Sequence, residues 1–143
     1  MSSATTVRDV MSPDVTTLEA NDRLNIADDV MTLGRIRHLP VVDDDGSVVG
    51  ILSQRDLFRG ALARSLGYGE HAQRKLLGIL AVKEVMTNDP ETIGPDAKAS
   101  EAAQRLLDRK IGCLLVVEHG KLVGILTESD FVRLYQTQDA GAR

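Results

Sequence analysis

Gly50-Ile51-Leu52-Ser53-Gln54-Arg55-Asp56 returns in the second half of the chain as Gly124-Ile125-Leu126-Thr127-Glu128-Ser129-Asp130. Both copies keep a glycine, a hydroxyl and a carboxylate in register, after apolar strand-like residues and at the start of a helical pattern. Working outward, the likeness continues. Val7, Val10, Met11, Asp14 and Thr17 align with Val82, Val85, Met86, Asp89 and Thr92. Ala27, Ile36, Leu39, Val41 and Val42 align with Ala102, Ile111, Leu114, Val116 and Val117. The offset then drops by one, since Asp44-Asp45-Gly46 is a residue longer than His119-Gly120. Beyond that turn Val49 aligns with Val123, and Arg59 with Arg133. A length difference confined to a turn is what true strands on either side require. Solenoids need three or more units, so two copies must complete each other.

Each copy reads as strand, helix, strand, strand, helix. Val15 to Leu18 is a short β-rich run, and Leu24, Ala27, Val30 and Met31 recur at helical spacing with Gly34 as the stop. Leu39 to Asp43 and Val48 to Leu52 are strands joined by turn residues. The run Val48-Val49-Gly50-Ile51-Leu52 does not alternate, so it is expected to be covered on both faces. Ser53 opens a helix reaching Leu66, Gly67-Tyr68-Gly69 breaks the chain, and Glu70 to Leu80 is a further helix. In the second copy Ala99, Ala102, Ala103, Leu106 and Leu107 form a helical stripe. Leu114 to Glu118 and Leu122 to Leu126 are its strands. The chain thus divides into a first repeat (7–66), a linker with a helix (67–81) and a second repeat (82–136), with frayed ends at 1–6 and 137–143.

Composition narrows the function. A unit of about 60 residues buries only roughly 60% of its unfolded surface, so the two copies are expected to pack face to face. The net charge is -4 with no basic block, which argues against nucleic acid and anionic membranes as partners. Aromatics make up 3% and Trp is absent, too few for a base-stacking platform. Cys113 is the single cysteine, so no intrachain disulfide can form and a reducing cytoplasm is the expected home. Residues 1 to 6 show no basic patch leading into an apolar run, and no apolar run has the length of a membrane span. Three scattered histidines with one cysteine lack zinc spacing, so no metal is expected. His71 and His119 lie in linker and turn, Cys113 in an apolar strand, and Asp43-Asp44-Asp45 in a solvated turn. No nucleophile elbow, Walker loop or dinucleotide fingerprint occurs.

Ser53-x-x-Asp56 and Thr127-x-x-Asp130 fit capping boxes, which need no ligand. The roles can coexist, the hydroxyl capping while the carboxylate faces a cleft. Gly124, without a side chain, admits close approach of either a ligand or another backbone.

A helix followed by Ile36-Arg37-His38-Leu39-Pro40-Val41-Val42-Asp43, a turn and Gly-Ile-Leu-Ser/Thr-x-x-Asp resembles the CBS domain, named after cystathionine β-synthase. Residues 7–13 (VRDVMSP) and 82–89 (VKEVMTND) are similar to that family's lead-in segments, and the likeness spans 7 to 136. It implies an α/β (α+β) fold. Two βαββα repeats would pair about a pseudo-twofold axis, sheets packed together and helices outside, with two clefts between them. It also implies adenosine-containing ligands (AMP, ADP, ATP or S-adenosylmethionine), further pairing into a homodimer, and a regulatory role such as energy sensing.

In that family the matching Asp accepts hydrogen bonds from the two ribose hydroxyls, a fit of two carboxylate oxygens to two donors. Carried over, one cleft combines Thr127 and Asp130 with Thr17, Ile36, Arg37 and His38. The other combines Ser53, Arg55 and Asp56 with Thr92, Ile111, Gly112 and Cys113. Arg37 and His38 favour the Asp130 cleft for a phosphorylated ligand. The second repeat departs from the family pattern in having Leu115 where the first has Pro40, which leaves the adenosine preference of the Asp56 cleft less secure. The expectation is a non-enzymatic sensor that requires no cofactor and signals to a separate protein. Its rivals are a ligand-independent homodimeric scaffold and a nucleotide hydrolase; against the latter, no base or nucleophile stands beside Asp130 in sequence.

Overall fold

The computed structural model describes residues 5–64, 69–109 and 111–141. In chain order the elements are α1 (Val7–Val10), β1 (Leu18–Glu19), α2 (Leu24–Gly34), β2 (His38–Val42), β3 (Val48–Ser53), α3 (Gln54–Arg64) and α4 (Gly69–Ile79). A 3-10 turn at Val82–Glu84 leads to β4 (Thr87–Asn88), β5 (Thr92–Ile93), α5 (Ala99–Arg109), β6 (Cys113–Glu118), β7 (Lys121–Thr127) and α6 (Glu128–Gly141). The fold is α/β with two sheets, ordered β1-β2-β3-β4 and β5-β6-β7.

Packing divides the chain differently from the repeat. One compact unit is Thr16–Pro90, and the other joins Met1–Val15 to Glu91–Arg143. Each lead-in segment therefore sits in the unit built chiefly from the other repeat. In the first unit β4 pairs antiparallel with β3, Gly50 opposite Asn88 and Ile51 opposite Thr87. In the second, Ser12 makes the matching bridge to Ile125, with N–H to O distances of 2.9 and 3.0 Å. The glycines of the repeated motif permit this. A Cβ on Gly124 would stand 3.1 Å from the Ser12 carbonyl oxygen, and one on Gly50 would stand 2.9 Å from that of Thr87. The approach that glycine allows here is made by the lead-in segment, through a methionine side chain (Met11 or Met86) and the backbone carbonyl that follows it.

The first strand begins later than Val15 to Leu18 suggests. Leu18 pairs in parallel with Val41, so Thr17 falls opposite Pro40, which has no N–H to extend the ladder. In the second unit Leu115 stands in that place. Its N–H donates to the Glu91 carbonyl at 3.0 Å, and β5 starts one register position earlier, with Thr92 opposite Leu115. Both hairpins also carry a register shift at matching places, Val41/Val42 and Val116/Val117.

Helix α2 buries Leu24, Ala27 and Met31. It ends as expected at Gly34, but the left-handed residue is Arg35 (φ 54°), whose N–H returns to the Met31 carbonyl. The β2–β3 turn is set by Asp43, whose Oδ1 accepts the N–H groups of Asp45 and Ser47, both at 3.0 Å. His119 and Gly120, both at positive φ, form the shorter turn between β6 and β7. The expected two-sided cover of Val48 to Leu52 is only partial. Gly50 and Leu52 are buried, whereas Val48, Val49 and Ile51 are half-exposed. The runs most fully covered are Leu39–Val41 and Cys113–Val116.

Two apolar clusters form, one per unit. Leu18, Leu24, Ala27, Met31, Leu39, Val41, Leu52, Leu57, Leu80 and Val82 fill the first. Val7, Val10, Ile93, Ala99, Ala102, Leu106, Leu114, Val116 and Leu126 fill the second. Leu107, assigned by periodicity to the α5 stripe, lies 70% exposed. Hydrogen-bonded structure reaches into both terminal segments. The Thr5 carbonyl accepts the Ala99 N–H at 2.9 Å, and α6 continues to Gly141. Residues 1–4, 142–143 and the expected break at Gly67 and Tyr68, with Leu66, lie outside the described residues.

Candidate functional site: two carboxylate half-sites

Each sheet ends its last long strand at the hydroxyl residue of the repeated motif, and a helix starts at the next position. At the first junction Ser53 Oγ accepts the Asp56 N–H at 2.9 Å while Asp56 Oδ2 accepts the Ser53 N–H at 3.0 Å. This is the reciprocal capping box. The Thr87 hydroxyl donates to the same Oδ2 at 3.3 Å. Across the β2–β3 ladder Ser53 faces His38, and the Gln54 N–H donates to the Arg37 carbonyl at 2.8 Å. Arg37, His38, Ser53 and Asp56 thus share one end of one sheet. Burial holds the His38 imidazole below its ordinary 6.5, against the opposing pull of the Asp56 charge and with the help of Arg37. Thr17, Arg37 and Arg55 are exposed at this end, and Ile36 is half-buried.

The second junction is similar in plan and tighter. Asp130 is buried, at 4% exposure. Its Oδ2 accepts the Thr127 N–H at 2.8 Å. Its Oδ1 accepts the Ser12 hydroxyl at 2.7 Å and the Arg133 guanidinium at 2.5 Å. Opposite Thr127 in the β6–β7 ladder is Cys113, whose thiol burial pushes up to about 12. Thr92 and Gly112 are exposed here and Ile111 is half-buried.

The residues singled out from sequence therefore fall into two groups. Thr17, Ile36, Arg37, His38, Ser53, Arg55 and Asp56 belong to the unit Thr16–Pro90, and Thr92, Ile111, Gly112, Cys113, Thr127 and Asp130 to the other. Within a unit Asp56 accompanies Arg37 and His38, and Asp130 accompanies Cys113. Sequence reasoning missed three side chains that touch the carboxylates: Ser12, Thr87 and Arg133. The repeat itself carried the signal, because Ser12 and Thr87 are the hydroxyl residues following the aligned Met11 and Met86.

A duplicated α/β unit with a capped carboxylate at each strand-to-helix junction defines a class of paired-repeat protein. The chain belongs to the CBS domain family, whose profile matches residues 7–62 and 82–137. Among solved structures it is similar to a Vibrio cholerae protein to which a part in acetoin utilization has been ascribed. The two share 36% identity, cover 95% and 93% of each other and have a TM-score of 0.82. It is also similar to CBSX2 of Arabidopsis thaliana, solved with AMP, at 30% identity, 94% and 98% coverage and a TM-score of 0.78. The CBS domain pair of protein MJ0100, solved with 5'-methylthioadenosine and S-adenosylmethionine, matches at 28% identity, 95% and 99% coverage and a TM-score of 0.75. Relatives differ in length. The chain spans 89% of a CBS domain-containing protein of Dictyostelium discoideum but 24% of a homoserine O-acetyltransferase of Methanococcoides burtonii. Among the described residues no helix is long and apolar enough to cross a membrane.

Proposed function

We propose that this protein is a non-enzymatic sensor that binds an adenosine-containing ligand at its two carboxylate half-sites and passes their occupancy to a separate protein. One observation carries the reading. Asp130 is a charged side chain kept buried at the start of α6, at the position where the family grips a ribose. A cis-diol supplies two donors, matching the two oxygens of a carboxylate. The similar structures solved with AMP and with S-adenosylmethionine support this ligand class. Ser53, Asp56, Thr127 and Asp130 would hold the sugar. The exposed Thr17, Thr92 and Gly112 and the half-buried Ile36, Ile111 and His38 would frame the base, together with buried Cys113. Arg37 and Arg55 would meet phosphates. The reading places the protein in the cytoplasm, acting as a homodimer, and assigns no catalytic step to any residue.

Thermal unfolding with AMP, ADP, ATP and S-adenosylmethionine tests it. Saturation near 100 times Kd adds about 2.7 kcal/mol to stability. No shift with any of the four, and no difference between the native chain and Asp130→Ala in their presence, refutes it. A second reading, a ligand-independent dimeric scaffold, is favoured by the large apolar side chains exposed on helices, Phe58 at 59% and Tyr135 at 72%. Partner recovery unchanged by Asp56→Ala and Asp130→Ala would select it.

A further inference from the structure

The two carboxylates are not equally free to take a ligand. Asp56 receives the Ser53 N–H and the Thr87 hydroxyl on one oxygen, Oδ2. Among the described residues nothing donates to its Oδ1, and Arg59, the counterpart of Arg133, forms no ion pair. Asp130 is engaged at both oxygens, with Ser12 and Arg133 together filling the acceptor capacity of Oδ1.

We propose that Ser12 and Arg133 form a latch on Asp130. The Asp56 half-site then fills first, and the Asp130 half-site fills only as the latch opens. This inference rests on the adenosine-binding reading and reverses the order that Arg37 and His38 suggest from sequence. A diol reaching Asp56 finds an oxygen with two open lone pairs, so its hydrogen bonds are added to those already there. A diol reaching Asp130 finds one open lone pair, on Oδ2, and its bond to Oδ1 must be exchanged for that of Ser12 or Arg133. Of the two latch groups, Arg133 is the easier to release, since its side chain is 62% exposed and can regain water. Ser12 is held by its backbone, which exchanges two hydrogen bonds with Ile125. Opening at Ser12 therefore acts on the segment that carries Val7 and Val10 into the core, and the Asp130 half-site can report occupancy through that segment.

Calorimetric titration with AMP tests the order of filling. In the native protein a tighter step precedes a weaker one, and Asp56→Asn removes the tighter step. In the Asp56→Asn background, Ser12→Ala with Arg133→Gln tightens the remaining step roughly tenfold, the scale of a lost competitor to a charged hydrogen bond. Arg133→Gln alone, on an exposed side chain that leaves the core untouched, moves it the same way. The latch is refuted if Asp56→Asn spares the tighter step, or if the Ser12 and Arg133 substitutions leave binding unchanged or weaken it. Weakening would make them ligand contacts. Absence of AMP binding to the native protein, with no thermal shift, removes the adenosine reading and the latch together; binding in the reverse order removes the latch alone.

Discussion

Gly50→Ala should destabilise the protein because its new methyl group has nowhere to go. The added Cβ would lie 2.6 Å from Met86 Sδ, 3.1 Å from Met86 Cε and 2.9 Å from the Thr87 carbonyl oxygen. The thioether can swing aside, being unbranched and adaptable. The carbonyl cannot, because Thr87 belongs to β4, which is paired to β3 at this point. Relief requires β4 to back away by several tenths of an ångström, which strains that pairing and the Thr87 hydroxyl bond to Asp56. Overpacking of this kind costs about 1–3 kcal/mol. At about 2 kcal/mol the melting temperature of a chain this size falls roughly 4–8 °C. Urea unfolding followed by circular dichroism, with Gly94→Ala as control, measures the difference. No heavy atom lies within 4 Å of a Cβ at Gly94, so that substitution should be neutral or slightly stabilising. Met86→Ala added to Gly50→Ala should recover part of the loss and leave the share due to the backbone. A Gly50→Ala protein within about 0.5 kcal/mol of the Gly94→Ala control would refute the argument that the lead-in segment requires this glycine.

Three further outcomes are expected. Burial disfavours protonation of His38 in the native state relative to the unfolded chain, so stability should fall as pH drops through about 6.5. His38→Gln should remove that part of the urea midpoint's pH dependence, and identical pH curves would refute it. Cys113, with its thiol pushed to about 12 by burial, should react with a disulfide reagent at pH 8 about a thousandfold more slowly in the native than in the urea-unfolded chain. Comparable rates would show an accessible thiolate. Leu126→Ala, at a fully buried position of β7, should cost about 2–5 kcal/mol, whereas Leu107→Ala, at an exposed one, should stay within about 0.5 kcal/mol. Equal losses in urea unfolding would overturn the assigned face of α5.

What could be read from sequence was what depends on near neighbours or on the repeat. The helix start at Ser53-x-x-Asp56 is a local competition for N–H groups, so four consecutive residues suffice to announce it. The α5 face was legible at Ala99, Ala102 and Leu106, but the same periodicity included Leu107, because a stripe's edge is set by what packs beside it. The beginning of β1 depends on a missing N–H at Pro40, twenty-odd residues away, and was misplaced. The destination of the lead-in segments was hidden for a similar reason. VRDVMSP has the same local character wherever it packs, and it is long-range hydrogen bonds, those of Ser12 to Ile125 and Asp130 among them, that show it belongs with the second repeat's strands. The carboxylates were found because the repeat places them in register. Ser12, Thr87 and Arg133 were overlooked because no local rule gives a hydroxyl or guanidinium there a task.

The exchange of lead-in segments also has a consequence for the chain as it leaves the ribosome. Everything in the unit Thr16–Pro90 has been synthesised before most of the other unit exists, so it can settle first, as earlier-made parts of a chain generally do. Val7 and Val10, made before that unit, must wait for Ile93, Leu114 and Leu126 before they are covered. The nascent chain thus carries Val7 and Val10 ahead of the first unit until the strands of the second follow, and Asp130 receives Ser12 only once α6 has been made.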